Sequence, residues 1–206
     1  MLLSYDKLAP LGGFNPSDKV LVNHITFNTK SNLFVMLLRN FANGDGAWST
    51  SLIAGDLQGN TKTILRKTYV SHYSFADENH LVAHCTVDGV TSMFNIDMRD
   101  GSAKNYYMPY FDLVGNPDIH CNVHPDGGYI IGDGYPKNRY RYLMAYNVKT
   151  GAERELLRAR TDIPTTNDIR CDLHARYVYE GKYISFDTTH NGRREIAILS
   201  AEALNF

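Results

Sequence analysis

The chain has 206 residues, of which 43% are hydrophobic and 21% charged, and its formal net charge is −1. These values are typical of a globular protein of one or two domains with a substantial core. The near-zero charge argues against a general nucleic-acid binder, which needs a basic face for the phosphate backbone. No apolar run approaches the length of a membrane span, so we expect neither nucleic acid nor a membrane as a partner.

The cysteines and the N-terminus bear on the compartment. Three cysteines without CxxC spacing (Cys85, Cys121 and Cys171) make a poor disulfide framework and are typical of a reducing compartment. Buried free thiols are the simplest interpretation of Cys121 and Cys171. No basic segment followed by a long apolar stretch begins the chain, so no signal peptide is predicted and the expected location is cytoplasmic.

The chain divides into a short lead-in and a repeated part. Residues 1–22 lack clean periodicity and are predicted to be a lead-in or a closing strand. Residues 23–206 repeat one phrase four times: a histidine opens a short apolar strand, and a polar turn and a second apolar strand follow. The copies begin near residues 24, 72, 120 and 174, at separations of 48, 48 and 54 residues. This period predicts an all-β fold, a β-propeller with about four blades of four antiparallel strands.

The outer half of each unit has its own pattern. In the first three units an apolar strand ends in Asp or Asn, and a turn with glycine leads into a polar strand, which predicts a hairpin. Residues 152–161 have helical propensity, but the repeat phase assigns them to an outer strand and a loop. The fourth unit lacks a fourth strand, which residues 1–22 would supply in a small closed ring. A larger ring, and self-association with another copy, are open alternatives.

The repeated histidines are the first candidate site. The innermost strand of each propeller blade lines the central channel, so residues at one repeat phase form a ring about its axis. His24, His72, His120 and His174 are therefore predicted to converge near one end of the channel. Imidazole suits divalent transition metals and also serves as a general base. Structural histidines that hydrogen-bond between blades would produce the same pattern, and this alternative stays open.

The fourth unit adds charged residues to its histidine. Arg170, Asp172, His174 and Arg176 alternate, so on a strand they would share one face. Pointing into the channel, this face would bind an anionic ligand, because arginine pairs with carboxylates through two hydrogen bonds. On the outside it would be ordinary solvent surface. We take Arg170, Asp172 and Arg176 as candidate substrate-binding residues, together with His24.

Several phrases resemble the oligogalacturonate lyase family of cytoplasmic β-propellers. The similarity covers roughly residues 20–200, and its matching phrases are 70–75, 119–127, 132–136, 170–176 and 181–187. It looks like the C-terminal part of a family member, which implies a complete propeller of seven blades and about twice this length.

The resemblance also implies a chemistry. The family's lyases cleave short uronate oligomers by β-elimination, with a divalent metal, typically manganese, held by histidines and a glutamine. By position, His120 and His174 look like metal ligands, and His72 looks like the proton-abstracting base. The family pattern Gln-x-x-His-x-His reads Cys171-Asp-Leu-His174-Ala-Arg176 here. Arg176, in place of a histidine ligand, would neutralise the substrate carboxylate and so take part in catalysis.

Three functions remain open on the sequence alone. The first is a carbon–oxygen lyase acting on an acidic oligosaccharide with a divalent metal. The second is a non-catalytic propeller that binds a ligand or a protein. The third is an inactive, truncated fragment.

Overall fold

The computed structural model describes residues 3–15, 17–41, 48–111, 118–161 and 170–206. Over these residues the strands form four antiparallel sheets, three with four strands and the last with three. Each sheet is one blade, and the strand order within it follows the chain from the innermost strand outwards. The all-β prediction and the four-blade prediction are confirmed.

The elements have the following bounds. Helix α1 (Tyr5–Leu11) precedes blade one, which contains β1 (Val20–Phe27), β2 (Leu33–Phe41), β3 (Trp48–Asp56) and β4 (Thr61–Thr68). Blade two contains β5 (Val70–Phe75), β6 (His80–Val87), β7 (Val90–Asp97) and β8 (Ala103–Tyr106). Blade three contains β9 (His120–Val123), β10 (Tyr129–Asp133), β11 (Tyr140–Asn147) and β12 (Glu153–Arg160). Blade four contains β13 (Arg176–Val178), β14 (Tyr183–Thr188) and β15 (Glu195–Ser200), and a 3-10 helix (Ala201–Leu204) follows.

The outer hairpins form as the sequence predicts. In blade three the side chain of Asn147 accepts hydrogen bonds from the next backbone N–H groups, and Gly151 then adopts a φ of 74°. That left-handed conformation costs glycine little, which explains its place at the end of the turn. The helical propensity of residues 152–161 is overridden, because pairing with β11 holds β12 extended.

Hydrophobic clusters join each blade to the next. The first lies between blades one and two, around Val35, Leu52, Leu81 and Phe94. The second, between blades two and three, includes Met93, Phe111, Ile130 and Met144. The third, between blades three and four, includes Ile131, Leu143, Ile184 and Phe186. Because packing runs from blade to blade, the innermost strands are held side by side.

Helix α1 covers the remaining face of blade one. Leu8 and Ala9 pack with Phe14 against Phe34, Met36, Leu38 and Ile53 of the sheet. Within residues 3–15 and 17–22, which the structure describes, the closing-strand alternative is not realised: residues 5–11 are helical, and blade one already begins at Val20. Neither this helix nor any other in the described ranges is long and apolar enough to cross a membrane.

In blade four the corresponding face is exposed as far as the structure describes the chain. Ile196 and Ile198 of β15 are 68% and 67% exposed, and Tyr183 on the adjacent strand is also exposed. Among the described residues β15 pairs with β14 alone, so its outer edge carries unpaired backbone groups. Blade four therefore has three strands within that part of the chain.

Candidate functional site

The four repeated histidines form one continuous row. Ring centroids are 5.2 Å apart for His24 and His72, 4.2 Å for His72 and His120, and 4.3 Å for His120 and His174. Each pair meets edge to face, at interplanar angles of 86°, 74° and 63°. The predicted convergence is confirmed. Each ring comes from a different blade, so blade packing sets these distances.

Irregular backbone geometry sets the side-chain directions of His24, His72 and His174. The pairing register of β1 shifts between Asn23 and Thr26, and that of β5 shifts between Val70 and Tyr73. His24 and His72 lie inside these shifts, and His24 has a φ of 52°. His174 has a φ of 41° and lies just before β13. Bulges of this kind redirect a side chain and recur beside functional sites.

The row lines a cavity of about 700 Å³ that is open to solvent. Two arginines and several hydroxyl groups also reach it. The lining residues other than the histidines are Arg39, Thr50, Tyr69, Val70, Ser71, Asp118, Tyr135 and Arg170. Two guanidinium groups stand against one carboxylate in this lining, which favours an anionic ligand.

A carboxylate holds the second histidine. The Nδ1 atom of His72 lies 2.7 Å from Asp118 Oδ1 and 2.9 Å from the Ser71 hydroxyl. The Tyr135 hydroxyl donates to the other oxygen of Asp118 at 3.0 Å. Burial opposes the charge on Asp118, but the hydrogen bonds from these partners outweigh it and hold the pKa of Asp118 well below its usual range.

A second carboxylate contacts the third histidine. His120 is 6% exposed, and its Nδ1 lies 3.3 Å from Asp133 Oδ2, which also accepts the backbone N–H of Leu173. Burial alone would lower the pKa of His120, but Asp133 outweighs burial and the pKa is raised. The two inner histidines of the row therefore each have a carboxylate on Nδ1.

The outer histidines have different electrostatics. Partial burial, aided by the charge of His72, lowers the pKa of His24 to about 4. Partial burial and the charge of His120 also lower the pKa of His174. Neutral imidazole is the form that binds a metal or accepts a proton, and it is the form these environments favour near neutral pH.

An arginine stands beside the fourth histidine. Arg170 donates from Nε to Asp172 at 2.8 Å, and its guanidinium carbon lies 4.5 Å from the centre of the Tyr135 ring. The other oxygen of Asp172 contacts Arg141 at 2.6 Å, in a pair that is almost fully buried. Asp172 is thus committed to two arginines, and it orients Arg170 toward the cavity.

Arg176 is placed differently from the prediction. The expected strand face shared by Arg170, Asp172, His174 and Arg176 is wrong, because β13 begins only at Arg176 and the preceding residues run without strand pairing. As a result Asp172 is buried while His174 and Arg176 are exposed. Arg176 is not among the cavity-lining residues, whereas Arg170 is. The flanking Cys121 and Cys171 are buried free thiols, as predicted.

The row offers a partial fit for a metal ion. Ligand atoms of His120, Asp172 and His174 lie within 4.8 Å of one another, which is compatible with a divalent ion. Because both oxygens of Asp172 already contact arginines, it is a poor ligand here. The two imidazoles are the groups that fit, and Asp133 supports His120 from behind, as carboxylates commonly support metal-binding histidines.

Several residues of the site were not found by sequence reasoning. Asp118, Tyr135, Ser71 and Arg39 line the cavity without belonging to the repeated phrase. Asp118 is two positions before the third histidine, and Tyr135 belongs to the phrase 132–136 already matched to the lyase family. The sequence carries no signal that Asp118 pairs with a histidine 46 residues away.

Known structures resemble this chain, although no family model matches it and no curated protein does. An oligogalacturonate lyase in complex with manganese superposes with a TM-score of 0.59 and 13% identity, over 89% of this chain and 52% of that one. TolB from Acinetobacter baumannii superposes with a TM-score of 0.54 and 12% identity, over 85% of this chain and 53% of that one. The propeller domain of the Trilobed protease from Pyrococcus furiosus superposes with a TM-score of 0.55 and 10% identity, over 88% of this chain and 54% of that one.

These comparisons bear on the fold alone, because every identity is low. The chain spans about half the length of these propellers. Both a TolB and an oligogalacturonate lyase resemble it to a similar degree, so the likeness shows the propeller fold and no single activity. The chain is a β-propeller of the architecture shared by TolB and oligogalacturonate lyase.

Proposed function

We propose that the chain binds an acidic oligosaccharide along the histidine row and cleaves it by β-elimination. The observation that carries this proposal is the row itself: four imidazoles from four blades line one cavity together with the guanidinium of Arg170. The row supplies bases and metal ligands, and the arginine supplies a counter-charge for a carboxylate.

Arg170 is the residue best placed to bind a uronate carboxylate. Its contacts with Asp172 and Tyr135 orient the guanidinium without burying it, since 35% of the side chain remains exposed. A preoriented guanidinium loses little freedom when it pairs with a carboxylate. We therefore give Arg170 the role that the sequence suggested for Arg176. Asp172 becomes its positioning partner, and His24 remains a candidate contact for the sugar.

His72 is the proposed base. Its ring lines the cavity between His24 and His120, and hydrogen bonding at Nδ1 leaves Nε2 as the nitrogen for proton transfer. In the elimination, Nε2 takes the proton from C5, which is acidified by the adjacent carboxylate. The electron pair of that C–H bond forms the C4–C5 double bond, the C4–O bond breaks, and the departing oxygen takes a proton from water.

His120 and His174 are the residues that would hold a divalent metal. Manganese is the proposed ion, by resemblance to the lyase family and to the manganese complex of one similar structure. When bound, such an ion would polarise the uronate carboxylate and acidify the neighbouring proton. The chain's own contribution is to present two imidazoles 4.3 Å apart.

The test is turnover of uronate oligomers, followed by the ultraviolet absorbance of the unsaturated product. His72→Gln should lower kcat by at least about 100-fold, since a general base contributes that much. Arg170→Gln should mainly raise KM. His124→Gln is the matched control, because His124 also pairs with a carboxylate but lies outside the cavity. Turnover that survives in His72→Gln would contradict the assigned base.

One observation favours a second function, a non-catalytic binding module. Asp172 is held by Arg141 and Arg170, so two imidazoles are left for a metal and positive charge lies nearby. Elemental analysis of the purified protein, with His120→Ala/His174→Ala as control, separates the two. About one divalent ion per chain, lost in the control, supports the lyase. Retained uronate binding with no metal and no turnover supports the binding module.

A further inference from the structure

The contact between blades two and three includes a hydrogen bond to the proposed base, from a residue to which the proposed function gives no role. Asp118 lies just before β9 in blade three, whereas His72 lies on β5 in blade two. Their side chains are 17% and 18% exposed, and they meet at 2.7 Å. Such a short bond across two blades fixes the orientation of the imidazole ring relative to the cavity.

The surroundings of Asp118 keep it in place as an acceptor. One oxygen faces His72 Nδ1, and the other accepts the hydroxyl of Tyr135 at 3.0 Å. Tyr135 is in turn packed under the guanidinium of Arg170. The carboxylate therefore cannot turn away from His72 without breaking its bond to Tyr135.

The chemistry of a carboxylate decides the tautomer. An ionised carboxylate accepts hydrogen bonds and donates none, so Nδ1 of His72 must carry the proton. In a neutral imidazole the lone pair then lies on Nε2. A histidine without this partner would populate both tautomers, and one of them would present a proton to the substrate instead of a base.

We propose that Asp118 is a positioning residue that fixes His72 as its Nδ1–H tautomer and thereby keeps Nε2 basic. The expected effect on turnover rests on the proposed function, in which His72 removes the C5 proton. The assignment of the tautomer does not depend on that function. Asp118 does not take the proton. It remains ionised and stabilises the imidazolium that forms, and water reclaims the proton after the product leaves.

The test reads the tautomer directly. Long-range ¹⁵N–¹H NMR spectra of the whole chain distinguish a protonated Nδ1 from a protonated Nε2, and His72→Gln identifies the signals of His72. In the wild type, His72 should appear as the Nδ1–H form. Asp118→Asn offers an amide that can donate to Nδ1, and it should move most of His72 to the Nε2–H form. Tyr135→Phe keeps the carboxylate and should leave the Nδ1–H form dominant.

A matched control lies elsewhere on the surface. His124 Nδ1 contacts Asp126 at 2.6 Å outside the cavity, so Asp126→Asn should change the signals of His124 and not those of His72. Turnover of a uronate oligomer should fall by about 100-fold or more in Asp118→Asn, mainly in kcat, and be unchanged in Asp126→Asn.

The outcomes separate the two proposals. A wild-type His72 protonated on Nε2, or an Asp118→Asn protein with His72 still protonated on Nδ1, would overturn the role of Asp118 whatever the turnover. A shifted tautomer with wild-type turnover would confirm the positioning role and refute His72 as the base. A melting curve for Asp118→Asn that matches the wild type would confirm that the spectra report a folded variant.

Discussion

The ion pair between Arg141 and Asp172 lies beneath the site, with side chains only 2% and 4% exposed. Asp172→Asn would leave the guanidinium of Arg141 buried without a counter-charge. We expect this change to lower the free energy of unfolding by about 3–5 kcal/mol, measured by urea denaturation. Arg170→Gln, at a partly exposed position, should cost about 1 kcal/mol or less. If Asp172→Asn were as stable as the wild type, the carboxylate of Asp172 would not be what stabilises the buried charge of Arg141.

The buried His84 predicts a dependence of stability on pH. It is 1% exposed and packs edge-on to Tyr69, and burial lowers its pKa from 6.5 to about 4. Between these values the unfolded chain binds a proton that the folded chain does not, so stability falls as the pH drops from 6.5 to 4. His84→Phe should remove about 2 kcal/mol of that fall, measured by urea unfolding at pH 7 and pH 4.5. An unchanged difference would contradict the assignment.

At the scale of elements, the two ends of the blade array differ. Helix α1 covers the apolar face of blade one, whereas the equivalent face of blade four carries exposed Ile196 and Ile198. An exposed apolar sheet face beside an unpaired strand edge favours association, so we expect copies of the chain to associate through blade four.

Replacing both isoleucines tests this expectation. Ile196→Thr/Ile198→Thr should reduce the concentration-dependent association seen by light scattering, because it removes apolar surface and keeps β-branched side chains. Stability should change by about 1 kcal/mol or less, since both side chains are already in solvent. Val90→Thr, at an exposed hairpin position in blade two, is the control and should leave association unchanged. If the double variant associated as strongly as the wild type, the contact between copies would not involve this face of blade four.

At the scale of the whole molecule, the blade repeat can be predicted from the sequence because each blade buries its faces in the same way and so repeats the same pattern of apolar residues. The histidine row follows from that repeat, since equivalent positions on successive blades must meet at the innermost strands. The face predicted for residues 170–176 failed because alternation holds only on a paired strand, and pairing starts at Arg176. The role of Asp118 could not be predicted because its contact with His72 joins different blades, and no local pattern records a contact of that kind. Tyr135 reaches the base only through Asp118.

The spacing of the four rings has a consequence for how the protein takes up protons. Neighbouring imidazoles are 4.2–5.2 Å apart, so a charge on one makes protonation of the next less favourable. The charges of His72 and His120 indeed help to lower the pKa values of His24 and His174. Protons will therefore enter the row in successive steps that belong to the group and not to single residues. Such a row takes up protons over a wide range of pH, and a titration curve for a single site will not fit its protonation.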